Sequence, residues 1–162
     1  MSENGKFVIR DARMSDRTRI GALWKELMTL HQALDPRFVV PVDGEQKYVR
    51  HIQDMLRCRD ARVLVAEEKA TNTVIGYLVG ELQTRPPVAL PGQYGFITDV
   101  CVQEAWRRRG VGRALFEQIR RWFVLRKARS IELYVSTANP HAAAFWQEMG
   151  FSPFLKLMHL DL

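Results

Sequence analysis

The chain holds only two cysteines in 162 residues, Cys58 and Cys101, too few for a disulfide framework and without metal-ligand spacing. No apolar run approaches the roughly 20 residues that a membrane-spanning helix needs. The opening residues, Met1 to Lys6, are polar and lead into no apolar stretch of the secretory kind. Internal repeats, low-complexity tracts and linkers are missing, as are the dinucleotide-type G-x-G-x-x-G run and the lysine-bearing P-loop. These absences argue against a disulfide scaffold, a membrane protein, a repeat array and a metal site. They leave an expectation of one domain over residues 1–162 in a reducing cytoplasm, with no membrane partner.

Hydrophobic residues make up 47% of the chain and charged residues 26%, enough apolar material for a real core. The formal net charge is +6 and the sequence pI about 9.7, so an acidic partner has to be considered. Nucleic acid is one candidate, but it calls for a basic stripe interleaved with stacking aromatics. The arginines instead gather at Arg107, Arg108, Arg109 and Arg113, followed by Arg120, Arg121, Arg126, Lys127 and Arg129 along a helical stretch. The second group reads as a solvated helix face. The first group is better suited to a polyphosphorylated small molecule.

Periodicity supplies the elements. Phe7 to Arg10 is a short strand candidate, and Ser15 and Asp16 offer an N-cap. Ile20, Leu23, Trp24, Leu27, Leu30, His31 and Leu34 then recur at helical spacing. Asp35-Pro36 ends that helix, because the residue before proline is pushed out of the α region. Tyr48, Ile52, Met55 and Leu56 mark a second helix. Arg62–Ala66 and Val74–Leu82 read as strands joined through Thr71-Asn72, and Tyr94–Val102 as a third long strand after a proline-rich loop from Arg85 to Gly92. A helix is expected from Gly110 to about Lys127, and a strand at Ile131–Val135. Asn139, Pro140 and Gly150 bracket a last helix with the usual asymmetry, proline at the start and glycine past the end. Phe151–Leu160 would supply one or two final strands. The order β-α-α-β-β-β-α-β-α-β-(β) predicts a mixed α/β fold, a central sheet flanked by about four helices.

The motif Arg107-x-x-Gly110-x-Gly112 lies between a strand and a helix. Glycines there let a ligand approach the backbone closely. The first helical turn has N–H groups without intrahelical acceptors, and the helix dipole adds positive potential, so a diphosphate is well placed. The neighbouring arginines can add charge-assisted hydrogen bonds.

In this context the chain closely resembles the GNAT superfamily of N-acetyltransferases. Asp99 to Leu115 is similar to that family's acetyl-CoA signature, and Asn139 to Phe151 to its second motif, an asparagine-led helix ending in Gly-Phe. Ile9-Arg10-x-Ala12 with Asp16 and Ile20 resembles its usual opening strand and helix. The resemblance implies a mixed, mostly antiparallel sheet of six to seven strands. It also implies a splayed strand whose backbone at Val100, Cys101 and Val102 binds the pantetheine arm. The pyrophosphate would sit on Arg107, Arg108, Arg109, Gly110, Val111 and Gly112, extending to Arg113 and Ala114. Asn139 and Trp146 would flank the cofactor from the far side. No metal takes part, and homodimers are common among families of this appearance.

The implied reaction is direct attack of a primary amine, on a small molecule or a peptide, upon acetyl-CoA in a ternary complex. A lysine-like amine has a pKa of about 10.4, so freeing its lone pair near pH 7.4 costs on the order of 4 kcal/mol and calls for a base. Asp99 and Glu81 are the candidate bases, both on strands in the half of the sheet where the acceptor would lie. Trp146 stands where the family usually carries a tyrosine acid, and indole cannot act as an acid at neutral pH. Tyr134 is a substitute candidate. His31, Asp35 and Arg37 border the expected acceptor region. Cys101 reads as a buried strand thiol rather than a nucleophile. A non-catalytic acyl-CoA-binding module is the alternative that Trp146 raises, and a basic nucleic-acid-binding protein is the more distant one.

Overall fold

The computed structural model describes residues 5–86, 88 and 92–161. Its order is β1 (Phe7–Asp11), α1 (Arg17–Leu34), α2 (Gly44–Met55), β2 (Ala61–Glu68), β3 (Val74–Thr84), β4 (Gln93–Val102), α3 (Val111–Leu125), β5 (Ile131–Leu133) and α4 (Pro140–Glu148). The five strands form one sheet in the order β1-β2-β3-β4-β5. Neighbours are antiparallel except β4 and β5, which run parallel. Among the described residues no helix is long and apolar enough to cross a membrane.

Each face of the sheet carries its own core. On one face Leu64, Leu78, Leu82 and Ile97 meet Leu115, Phe116, Ile119 and Phe123 of α3 and Trp146 of α4. On the other, Val63, Val65, Tyr77, Val79 and Cys101 meet Ile20 and Leu23 of α1 and Tyr48 and Ile52 of α2. Two glycines seat α3 against the sheet. A Cβ on Gly80 would lie 2.8 Å from Ile119, and one on Gly95 would lie 2.6 Å from Phe123. Their bare backbone lets α3 approach closely, and this fixes where its N-terminus points.

Several expected boundaries are met for the expected reasons. Asp35 is extended and ends α1, and Asn72 takes φ 54° in the β2–β3 turn. Asn139 accepts a hydrogen bond from the Ala142 N–H at 3.0 Å, with Pro140 in the first turn and Gly150 at φ 94° past the helix. The cap expected of Ser15 and Asp16 is formed differently. Met14–Asp16 is a short 3₁₀ turn, and the Asp16 carboxylate accepts from the Arg13 N–H and the Arg10 guanidinium instead of capping α1. Part of the proline-rich loop, residues 87 and 89–91, lies outside the described residues.

Among the described residues the sheet has five strands, where six to seven are expected. The expected strand from Phe151 to Leu160 is not formed: residues 152–161 have no secondary structure and no backbone hydrogen bond among the described residues. A strand exists only through a neighbour's N–H and C=O groups, and in the single chain this segment has none. The strand expected at Ile131–Val135 also stops early, at Leu133.

Candidate functional site

β4 is paired with β3 along nearly its whole length, from Gln93 to Val102. Its pairing with β5 covers only Gly95–Ile97 against Ile131–Leu133. Beyond Ile97 the two parallel strands part, so Thr98 to Val102 faces a wedge with its β5-side edge unpaired. An unpaired edge can add an extended chain carrying amides of its own. Val100, Cys101 and Val102 therefore lie where the sequence reading places a cofactor arm. One carbonyl on this stretch is already engaged: the Arg107 Nε donates to Val102 O at 3.0 Å. The short turn Glu104–Trp106 folds the chain back and brings Arg107 there.

The loop beyond leads straight into α3. Gly110 is the residue before the helix and takes φ 82°, the left-handed region that side chains disfavour. A Cβ built there meets nothing within 4 Å, so the space above it is open. The first backbone bond of α3 runs from the Ala114 N–H to Gly110 O at 2.9 Å. The N–H groups of Val111, Gly112 and Arg113 precede it and are free to point at an anion. Gly112 has a packing role besides the expected one. A Cβ there would come within 3.3 Å of the Phe145 ring, so this glycine lets α4 pack on α3. Arg108 (φ 62°) is exposed at the loop. Arg109 lies over the Trp106 ring at 5.5 Å, and Arg113 pairs with Glu148 at 3.7 Å.

Trp146 is buried and meets Phe116, Phe145 and Phe151 edge-on or nearly so. It is a core aromatic linking α3 and α4, and no phenol occupies its place. Tyr134 stands largely exposed just past β5, edge-on to Phe96 at 5.2 Å. Glu81 lies opposite Phe96 in the sheet, and its carboxylate makes no hydrogen bond or ion pair among the described residues. Neither is hydrogen-bonded to Asp99.

Asp99 is where the chain concentrates its unusual chemistry. The β3–β4 register shifts between Val79 and Gly80, which pair with Asp99 and Ile97, leaving Thr98 as the extra residue of a bulge. A bulge re-aims the side chains that follow it. Strict alternation from Ile97 would put Asp99 on the α3 face, whereas the bulge turns it with Cys101 toward α1 and α2. There it accepts a hydrogen bond from the Tyr48 hydroxyl of α2 at 3.0 Å. Burial raises its pKa above the ordinary carboxylate value, while Tyr48 and the nearby His51 and His31 pull the other way. His31, on α1, has its own pKa lowered by burial, opposed by Asp99. Its Nδ1 is buried without a hydrogen-bond partner, and the buried Tyr77 hydroxyl likewise lacks one of good geometry. Burial and Asp99 push the Tyr48 phenol upward, so it stays a neutral donor.

The sequence singles out Asp99 and His31; Tyr48, His51 and Tyr77, which the structure brings together beside Asp99, it does not. Tyr48 and His51 at i, i+3 share one face of α2, a signal that was present but indistinguishable from core spacing. Trp24 stacks on Tyr48 at 4.7 Å and fixes its ring. Asp35 is held at about 2 by the Arg37 guanidinium, which donates to both carboxylate oxygens, so this pair shapes the α1–α2 turn as a charged but internally neutralised corner. Cys101 donates its thiol to Leu23 O at 3.4 Å, and burial pushes its pKa up to about 12. Such a thiol is no nucleophile.

A sequence model described as the acetyltransferase (GNAT) family matches residues 24–151. No curated protein matches. Among solved structures, a tetramutant of the BH1408 protein from Bacillus halodurans is 25% identical, with TM-score 0.86 over 96% of this chain and 99% of that one. Aminoglycoside 6'-N-acetyltransferase AAC(6')-IG from Acinetobacter haemolyticus is 17% identical, with TM-score 0.75 over 96% and 97%. Aminoglycoside N-acetyltransferase AAC(6')-Iy, solved in complex with CoA, is 16% identical, with TM-score 0.74 over 96% and 94%. At these last two identities the likeness is one of fold.

Proposed function

The chain belongs to the acetyltransferase (GNAT) family, and from that premise we propose that it acetylates a primary amine of a small molecule, taking the acetyl group from acetyl-CoA. The observation that carries this reading is the arrangement around β4. One strand presents an open backbone edge beside an anion cradle, and on its other face a partly buried carboxylate with no lysine or arginine partner among the described residues. The aminoglycoside acetyltransferases of the same fold favour a small-molecule acceptor over a peptide.

Acetyl-CoA, when bound, supplies a thioester whose acyl carbon can be attacked. The chain's own residues do the rest. The N–H groups of Val111, Gly112 and Arg113, with Arg108, fit the diphosphate, and the edge at Val100–Val102 fits the pantetheine amides. Asp99 takes the proton that the attacking amine must shed. Its raised pKa brings the carboxylate closer to the operating pH, which makes it a better base than a solvated aspartate. Tyr48 steadies the carboxylate by donating to it. Exclusion of water around Asp99 also favours the neutral amine, since a charged one is poorly solvated there. With Trp146 committed to packing, the leaving thiolate takes its proton from solvent or from the proton released at the amine.

A binding module without chemistry is the rival reading, and the missing phenol at Trp146 is its one support. A thiol-release assay with acetyl-CoA against aminoglycosides, polyamines, amino acids and lysine peptides separates the two. Release with at least one amine, lost in Asp99→Asn, is the expected result. CoA-dependent thermal stabilisation with no release from any amine would establish the rival.

A further inference from the structure

Beside the Tyr48–Asp99 pair lies a cavity of about 280 Å³ that the chemistry derived above does not use. Trp24 of α1, Pro41 of the α1–α2 turn, and Gly44, Lys47, Tyr48 and His51 of α2 line it, and no polar atom contributes to its accessible lining. The walls are held in place. Trp24 stacks on Tyr48 with the two ring planes 9° apart. A Cβ on Gly44 would lie 3.2 Å from Trp24 and 2.8 Å from Val40, so the bare backbone lets the indole sit close to the start of α2. The Pro41 carbonyl accepts from the Gly44 N–H at 2.9 Å, which fixes the turn. Val39 and Val42, on either side of Pro41 in the chain, are almost fully exposed apolar side chains.

The cavity and the carboxylate are two ends of one site. Carbon atoms of Tyr48 line the cavity, and its hydroxyl reaches Asp99 at 3.0 Å. His51 also lines the cavity, is tilted against the Tyr48 ring at 5.7 Å, and lies within electrostatic reach of Asp99. At the Asp99 end, His31 Nδ1 is buried without a hydrogen-bond partner among the described residues. The charges differ between the two ends. No carboxylate lines the cavity, whereas Lys47 does. Of the carboxylates on α1, α2 and the turn between them, Glu26, Asp35, Asp43 and Glu45 each pair with an arginine or lysine. Asp54 is exposed at the far end of α2, about two turns beyond Lys47. Glu81, two residues along β3 from the residue that pairs with Asp99, is not among the walls.

We infer that the acceptor is a monoamine bearing an apolar group of ring size: the amine reaches Asp99, and the apolar group fills the cavity along Tyr48 against Trp24 and Pro41. This rests on the acetyl-transfer reading and names its substrate class. A flat ring is well matched to a cavity walled by stacked aromatics. The neutral amine has N–H groups for both the Asp99 carboxylate and the orphaned His31 Nδ1. A polycation such as an aminoglycoside would instead lay ammonium groups against carbon walls and Lys47, with no counter-charge there to offset their desolvation. The transfer itself is unchanged. The amine nitrogen bonds to the acyl carbon, the C–S bond breaks with its electron pair on sulfur, and the amine proton passes to Asp99.

Thiol release from acetyl-CoA along a ladder of monoamines, set against spermidine and kanamycin, tests the class. Across ethylamine, n-hexylamine and 2-phenylethylamine, kcat/KM should rise about fourfold for each methylene buried. The 2-phenylethylamine value should exceed those of ethylamine and both polycations by about thirtyfold or more. Pro41→Asp sets a charge in the cavity wall and should lower the ratio of 2-phenylethylamine to ethylamine kcat/KM by about tenfold. That ratio is read within one protein, so a smaller folded fraction cancels from it. A flat ladder, or release greatest with spermidine or kanamycin, overturns the apolar acceptor and leaves acetyl transfer standing. A ratio unmoved in Pro41→Asp overturns the cavity as its seat. Release from no amine at all overturns acetyl transfer, and the acceptor with it.

Discussion

The two halves of the candidate site are built in opposite ways. The donor half, from Val100 to Ala114, is one continuous stretch whose working parts are mainly backbone: an unpaired strand edge, a left-handed Gly110 and the first N–H groups of α3. The proposed acceptor half gathers side chains from four elements: His31 of α1, Tyr48 and His51 of α2, Tyr77 of β3 and Asp99 of β4. Backbone geometry is set locally and tolerates changes in the side chains around it. A partly buried carboxylate holds its character only while every element around it stays in place. The donor half should therefore fail through affinity, and the acceptor half through turnover.

Asp99→Asn is the sharpest way to test that division. It should lower kcat by about 10²–10⁴-fold, the usual weight of a general base, and leave CoA affinity unchanged. It should also stabilise the fold. The folded-state pKa is raised, so ionised Asp99 costs stability at neutral pH, and its favourable contribution is fully present only below the ordinary carboxylate range, being lost as pH rises through the raised value. Thermal denaturation at pH 7.5 should give a Tm higher by about 2 °C or more in the Asn variant. A fall in Tm would mean that the charge is paired and the base assignment misplaced.

Next in size are the loop glycines, which should come apart. Gly110→Ala forces a side chain into φ 82° and into the open space above the loop. CoA affinity by titration calorimetry should fall on the order of tenfold, with kcat at saturation little changed. Gly112→Ala meets the Phe145 ring, and its main effect should be a loss of thermal stability. Equal effects on affinity from the two would undo the separation of their roles.

Tyr48→Phe should act more gently, lowering kcat by about threefold to tenfold, the net worth of one typical hydrogen bond. Its signature lies in the pH profile. Tyr48 holds the Asp99 pKa down, so removing its hydroxyl should move the acid limb of kcat/KM to higher pH. An unmoved limb would mean that another group is titrating. Smallest of all is Cys101→Ala, which should change kcat by less than about twofold, since a thiol buried at about 12 offers no thiolate. Iodoacetamide should label the exposed Cys58 and spare Cys101 in the folded protein.

How much of this was legible in the chain follows from the same contrast. The Arg107–Gly112 loop, the Asn139 cap and the proline that ends α1 could be read directly, because each is decided within a few residues by steric and capping preferences. The packing role of Gly112 has no signal in the sequence, since its neighbour Phe145 lies on another helix. The sequence offers Trp146 as a cofactor contact, and its packing against Phe116 and Phe151, which makes it part of the core, is visible only in the tertiary structure. Tyr48 looked like any apolar helix position until Asp99 was seen beneath its hydroxyl.

What the sequence by itself determined is the four helices and the first five strands in their order, with the glycine turn at the start of α3, all consequences of short-range periodicity and backbone preference. What only the tertiary structure decided is which face Asp99 joins, and whether the final apolar segment finds a partner. The first turns on the bulge at Thr98, which reverses the alternation from that point on. A register shift of one residue depends on the strand alongside and leaves no trace in the period of β4 alone. The second turns on an edge. Whether residues 154–161 form a strand is decided by the backbone next to them, and in the single chain none is there.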